Sequence, residues 1–127
     1  MPYELAFEKA LDITETDRYF NEYCIGGDIV SAALLPALQT RYGAVESGQE
    51  DWGWFLWSAS DGLRLAVDIF TDDHSTGLFR AHLSTSKRGL LGDRKEPDTP
   101  ALEELMQVVN GALTSWLGSA PLVDRVD

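Results

Sequence analysis

Cysteine is almost missing from this chain. Cys24 is the only one in 127 residues, so no intramolecular disulfide can form. At this length a folded chain buries about two thirds of its unfolded surface, so packing alone can hold it. Cys24 lies in the apolar run YCIGG and is expected to be a small buried hydrophobe rather than a reactive thiol.

Histidine is scarce too. The two present, His74 and His82, stand on either side of a polar loop and, with one cysteine, offer no spaced set of zinc ligands. We therefore expect no functional zinc and no cofactor.

Cations are outnumbered: 10 Lys and Arg stand against 21 Asp and Glu, a formal charge of −11. A field of that sign repels phosphate backbones and anionic membrane surfaces, so neither nucleic acid nor membrane is expected as a partner. No apolar run approaches the ~20 residues that cross a bilayer. The start, MPYELAFEK, has neither a basic region nor a long apolar one, so no secretory signal is expected, which together with the lone cysteine suits a cytoplasmic protein. There is no repeat, and no GxGxxG, P-loop, HExxH, CxxC or GxSxG motif. Nothing in that inventory calls for an enzyme. The length predicts one domain over residues 1–127.

The patterns that are present predict the elements. Residues 3–8, YELAFE, alternate as a half-buried strand, with Tyr3, Leu5 and Phe7 on one side. A helix is expected from about Thr14 or Thr16, with Tyr19, Phe20, Tyr23 and Cys24 as its stripe and Gly26-Gly27 as its stop. Asp28 then caps a second helix, on which Ile29, Val30, Ala33, Leu34, Ala37 and Leu38 form the apolar face. Pro36 should kink or restart that helix, and Gly43 ends it. Residues 43–51 read as a polar loop.

Strands follow at 52–59 and 63–71, joined by the hairpin signal Asp61-Gly62, and at 78–85. Residues 87–98, KRGLLGDRKEPD, read as a loop whose Lys87-Arg88 and Arg94-Lys95 are solvated rather than a site for an anion. Thr99 caps a last helix with Pro100 at its first position. Its apolar face is Leu102, Leu105, Met106, Val109, Leu113, Trp116 and Leu117, and Gly118 ends it. The tail 122–126 predicts an edge strand. The order β-α-α-β-β-β-α-β defines an α+β fold, a mainly antiparallel sheet with a three-strand meander and helices packed on one face.

Aligning the meander sorts its side chains. Ser60 opposes Leu63 and Leu56 opposes Val67. A turn near His74 or Ser75 opposes Asp68 to Arg80. One face then collects Trp52, Trp54, Leu56, Leu65, Val67, Ile69 and Phe79, and should meet the helices. The other collects Phe55, Trp57, Arg64, Asp68, Phe70, Arg80 and His82. A solvent face of an ordinary sheet would carry Lys, Glu and Thr instead.

Three readings of local chemistry follow. Asp72-Asp73-His74 is a polar turn rather than a metal site, since adjacent residues seldom converge on one ion. Asp68 and His82 are diagonal neighbours that could exchange a proton, but Arg80 competes for Asp68, and a cross-strand ion pair is the expected outcome. Gly26-Gly27-Asp28 is a helix entry, not a phosphate loop.

The composition of the mixed face is that of an interface core, rich in Trp, Phe and Arg and poor in Lys and Glu. The expected function is a small acidic, non-catalytic protein-interaction module. It would bind a protein partner or a second copy of itself through this face, in the manner of adaptor or toxin-neutralising proteins. The alternative is a small-molecule-binding protein or small enzyme that uses Trp57, Asp68, Arg80 and His82 as a pocket. In a third reading the terminal strands or the 87–98 loop cover the face and make it a minor core.

Overall fold

The computed structural model describes residues 2–89, 92–95 and 99–126. The elements are β1 (Tyr3–Glu8), α1 (Gly27–Tyr42), β2 (Glu46–Glu50), β3 (Gly53–Ser60), β4 (Leu63–Asp73), β5 (Leu78–Gly89), β6 (Gly92–Lys95), α2 (Pro100–Leu117) and β7 (Leu122–Arg125). The seven strands form one antiparallel sheet in the order β2-β3-β4-β5-β1-β7, with β6 also paired to β5. Both α-helices pack on one face, so the α+β class read from the sequence is the architecture observed. Among the described residues no helix is long and apolar enough to cross a membrane.

Alternation explains the core. Leu5, Leu56, Leu65, Val67, Ile69, Phe79, Ala81 and Leu83 point to one side of the sheet and are almost wholly buried. They meet Val30, Leu34 and Leu38 of α1 and Leu102, Leu105, Val109 and Leu113 of α2 in a single cluster. The α2 cap is as the sequence predicts: the Thr99 hydroxyl accepts from the Leu102 N–H at 3.0 Å, Pro100 fills the first turn, and Gly118 ends the helix. α1 differs in detail. Gly26 takes the cap position and Asp28 sits in the first turn, where its charge suits the helix dipole. Pro36 faces solvent and the helix runs unbroken through it to Tyr42, because the hydrogen bond it removes lies on the wet side.

Four expectations need correction. The helix expected from residue 14 is absent; the segment is irregular apart from a 3₁₀ turn at Glu22–Cys24. Its polar groups are satisfied across the chain instead. Thr71 Oγ1 donates to the Ile25 carbonyl at 2.8 Å, and Gln49 Nε2 donates to the Arg18 carbonyl at 3.2 Å. Residues 43–51 are not all loop, since 46–50 form β2. Much of 87–98 is hairpin rather than loop: β5 continues to Gly89 and β6 returns alongside it, while 90, 91 and 96–98 lie outside the described residues. Lastly, Trp52 leaves the core side. Its ring packs on Phe70 with centroids 5.4 Å apart, and it is 37% exposed.

Candidate interaction face

The hairpin at Asp61-Gly62 sets the β3–β4 register expected from the sequence, with Leu56 opposite Val67 and Trp57 opposite Ala66. The β4–β5 register differs by two residues. Asp68 faces His82 and Phe70 faces Arg80: the turn lies further along the chain than expected, with Asp73 opposite Leu78, and a one-residue irregularity between Thr71 and Asp73 sets the final offset at two. A shift of two keeps every side chain on its face but changes its partner. The expected Asp68–Arg80 opposition is thus replaced by Asp68–His82. One row crosses six strands as Gly48, Phe55, Asp68, His82, Glu4 and Asp124. His82 therefore stands between two carboxylate-bearing positions.

All seven residues singled out on the mixed face do share it. They organise into two aromatic–arginine groups. In the first, the Phe55 and Trp57 rings lie 4.3 Å apart, the Arg64 guanidinium lies 4.8 Å above the Trp57 ring, and Trp57 Nε1 donates to Asp68 Oδ1 at 3.2 Å. In the second, Arg80 lies 5.3 Å over Phe70, which also carries Trp52. Arg80 Nε donates to both Asp72 oxygens, at 3.0 and 2.8 Å, and its Nη1 lies 3.5 Å from Glu4.

Phe55 is buried although it points away from the helices. Its ring covers Gly48 on β2, where a β-carbon would lie 3.0 Å from Phe55 Cε1. A glycine at this strand edge thus seats an aromatic ring from the neighbouring strand.

The terminal strands do not cover this face. β1 and β7 join the sheet beside β5 and extend it with Glu4, Ala6, Leu122 and Asp124. Among the described residues no helix or strand is layered across it. Trp57, Arg64, Asp68, Phe70, Arg80 and His82 are each partly exposed.

Other candidates resolve simply. Asp73 caps its own turn, accepting from the Ser75 hydroxyl and from its backbone N–H, and these bonds hold its carboxyl below the usual range. With Asp72 on Arg80, the 72–74 cluster is a polar turn. Among the described residues no three His, Cys, Asp or Glu side chains gather where a metal ion could be held. Cys24 is fully buried, and burial raises its thiol pKa. A cleft of about 570 Å³ opens beside Trp57, Arg64 and Glu46 at the end of the β3–β4 hairpin. Asp68, Arg80 and His82 do not line it.

Sequence reasoning missed three members of this face. Glu4 enters because β1 pairs with β5, a long-range choice that no local pattern records. Asp72 reaches Arg80 past the strand irregularity. Trp52 belongs to the turn before β3 and so escapes the alternation that governs the strand. Family models, curated proteins and solved structures were each searched, and none matches this chain.

Proposed function

We propose that this protein is a non-catalytic protein-interaction module acting in the cytoplasm, and that the aromatic–arginine face of its sheet is the contact surface for a protein partner or a second copy. The observation that supports the reading is this face, which no described helix or strand covers. It carries Trp52, Trp57 and Phe70, all partly exposed, with guanidinium groups laid over two of the rings. Their packing on one another fixes rotamers in advance and so lowers the ordering cost of association. Removing most of Trp57 from water would contribute on the order of 2–3 kcal/mol before such costs.

The charge of −11 argues against nucleic acid and anionic lipid as partners. A second reading, a small-ligand site, draws on the cleft beside Trp57 and Arg64, whose volume of about 570 Å³ falls in the range of ligand pockets. Sedimentation equilibrium and partner binding on Trp57→Ala test the first reading. Weakened association with an intact fold supports it. Unchanged association with a destabilised monomer would make the face internal packing.

A further inference from the structure

β2 is an outer strand. Among the described residues β3 is its only strand neighbour, and its backbone bonds to no other backbone. Such an edge presents outward N–H and C=O groups that can template another strand, although at its end the Glu50 carbonyl accepts from the Cys24 thiol and the Asp51 carbonyl from Asn21 Nδ2. Here the guard is charge of one sign. Glu46 and Glu50 are exposed and, by alternation, share a face on either side of Gly48. Asp51 follows directly and is exposed too. Among the described residues none of these carboxylates is ion-paired. Arg18 is committed to Asp28 at 3.2 Å, and Arg41 to Glu104 at 2.6 Å.

That charge discriminates between occupants. Two copies joined antiparallel through β2 about Gly48 would set Glu46 against Glu50, and like charges directly opposite are destabilising. A cationic strand meets the opposite sign. The end of β2 adds aromatic surface suited to cations. Trp52 is 37% exposed, Phe20 61% and Tyr23 53%. The segment bearing Phe20 and Tyr23 is fixed beside this turn by the Phe20 N–H on Gln49 Oε1 at 2.9 Å and by Asn21 Nδ2 on the Asp51 carbonyl at 2.6 Å.

We propose that β2 accepts an extended, Lys/Arg-rich segment of a partner protein as an added strand. Backbone hydrogen bonds attach it, and Glu46, Glu50, Asp51, Phe20 and Trp52 read its cations. This rests on the interaction-module reading; it centres on the edge of the sheet and shares Trp52, and the side on which Glu46 and Glu50 stand, with the open face.

The test is an NMR titration of the ¹⁵N-labelled protein with a capped peptide of alternating Lys and Thr, about eight residues long, at about 0.15 M salt. A twin of equal charge, N-methylated at alternate residues, serves as control. The expected result is that amides of residues 46–50 shift and gain protection from exchange. The twin should bind about tenfold more weakly or worse. The charge reversals Glu46→Lys and Glu50→Lys, with their fold checked by circular dichroism, should weaken binding to a similar degree, and Asp124→Lys, an equal charge change on β7 at the other end of the sheet, should leave it unchanged. Equal binding of the twin, or of the charge-reversed variants, would reduce the effect to diffuse charge attraction and overturn the proposal. No shift in β2, with assembly still dependent on Trp57, would overturn it while leaving the interaction module standing. If neither the peptide nor Trp57 matters, both fall.

Discussion

Trp54 Nε1 donates to the carbonyl of Cys24 at 2.8 Å, tying strand β3 to the segment that precedes α1. The same indole lies so close to Gly27 that a β-carbon there would overlap its Cδ1. One side chain therefore fixes both the entry to the helix and its distance from the sheet. Trp54→Ala should cost about 3–5 kcal/mol of folding stability, measured by urea unfolding, and leave assembly untouched. Trp57→Ala should do the reverse.

Gly27→Ala introduces a helix former into a helix and should still destabilise, by about 1–3 kcal/mol, because of the overlap with Trp54. The penalty should shrink when the indole is removed. A double-mutant cycle with Trp54→Ala reads that coupling directly. Additive effects would mean that the two residues do not press on one another.

Leu65 is fully buried between the helices and β4's neighbours. Leu65→Ala should cost about 2–5 kcal/mol. A loss below about half a kcal/mol in chemical denaturation is outside the range expected for a core site and would contradict the packing of the helices on this face.

Burial pushes the Tyr42 phenol up to about 12, and the nearby Glu104 carboxylate adds to the shift. The folded state thus holds the proton that an unfolded tyrosine releases near pH ~10. The stability this contributes is fully present below that pH and is lost as pH rises towards 12. Unfolding free energy should fall over this window, and Tyr42→Phe should make the fall shallower. Tyr3 and Tyr19, whose phenols are also raised, account for part of the slope that remains.

The Cys24 thiol donates to the Glu50 carbonyl at 3.1 Å in a fully buried site. Burial disfavours the thiolate, the reactive form. Ellman's reagent should therefore find no thiol in the native protein and one per chain in denaturant. Rapid reaction of the native protein would show that the 9–26 segment opens easily.

How far the sequence could be read depended on where each element's partners lie. α2 carried its own instructions, a capping threonine, a first-turn proline and a regular apolar face, and it forms as expected. The segment before α1 misled because Tyr19, Phe20, Tyr23 and Cys24 imitate a helical stripe. Tyr19 and Cys24 are buried, but Phe20 and Tyr23 are exposed, and the carbonyls of Cys24 and Ile25 are taken by Trp54 and Thr71. β2 was illegible because ESGQE has no apolar alternation; it is a strand because β3 offers it a ladder and Phe55 a ring. On the candidate face, composition and side were readable from period two. The pairing of Asp68 with His82 was not, because it hangs on where the turn falls and on one irregularity near Asp72.

The sheet order has a consequence for synthesis. β1 precedes the other described strands along the chain, yet its place is between β5 and β7, with Leu5 opposite Ala81 and Val123. At about 5–20 residues per second, Ala81 leaves the ribosome on the order of 4–15 s after Leu5. During that wait an apolar strand has no native ladder to join, so the nascent chain is exposed to holding factors, and closure of the sheet must follow completion of its C-terminal half.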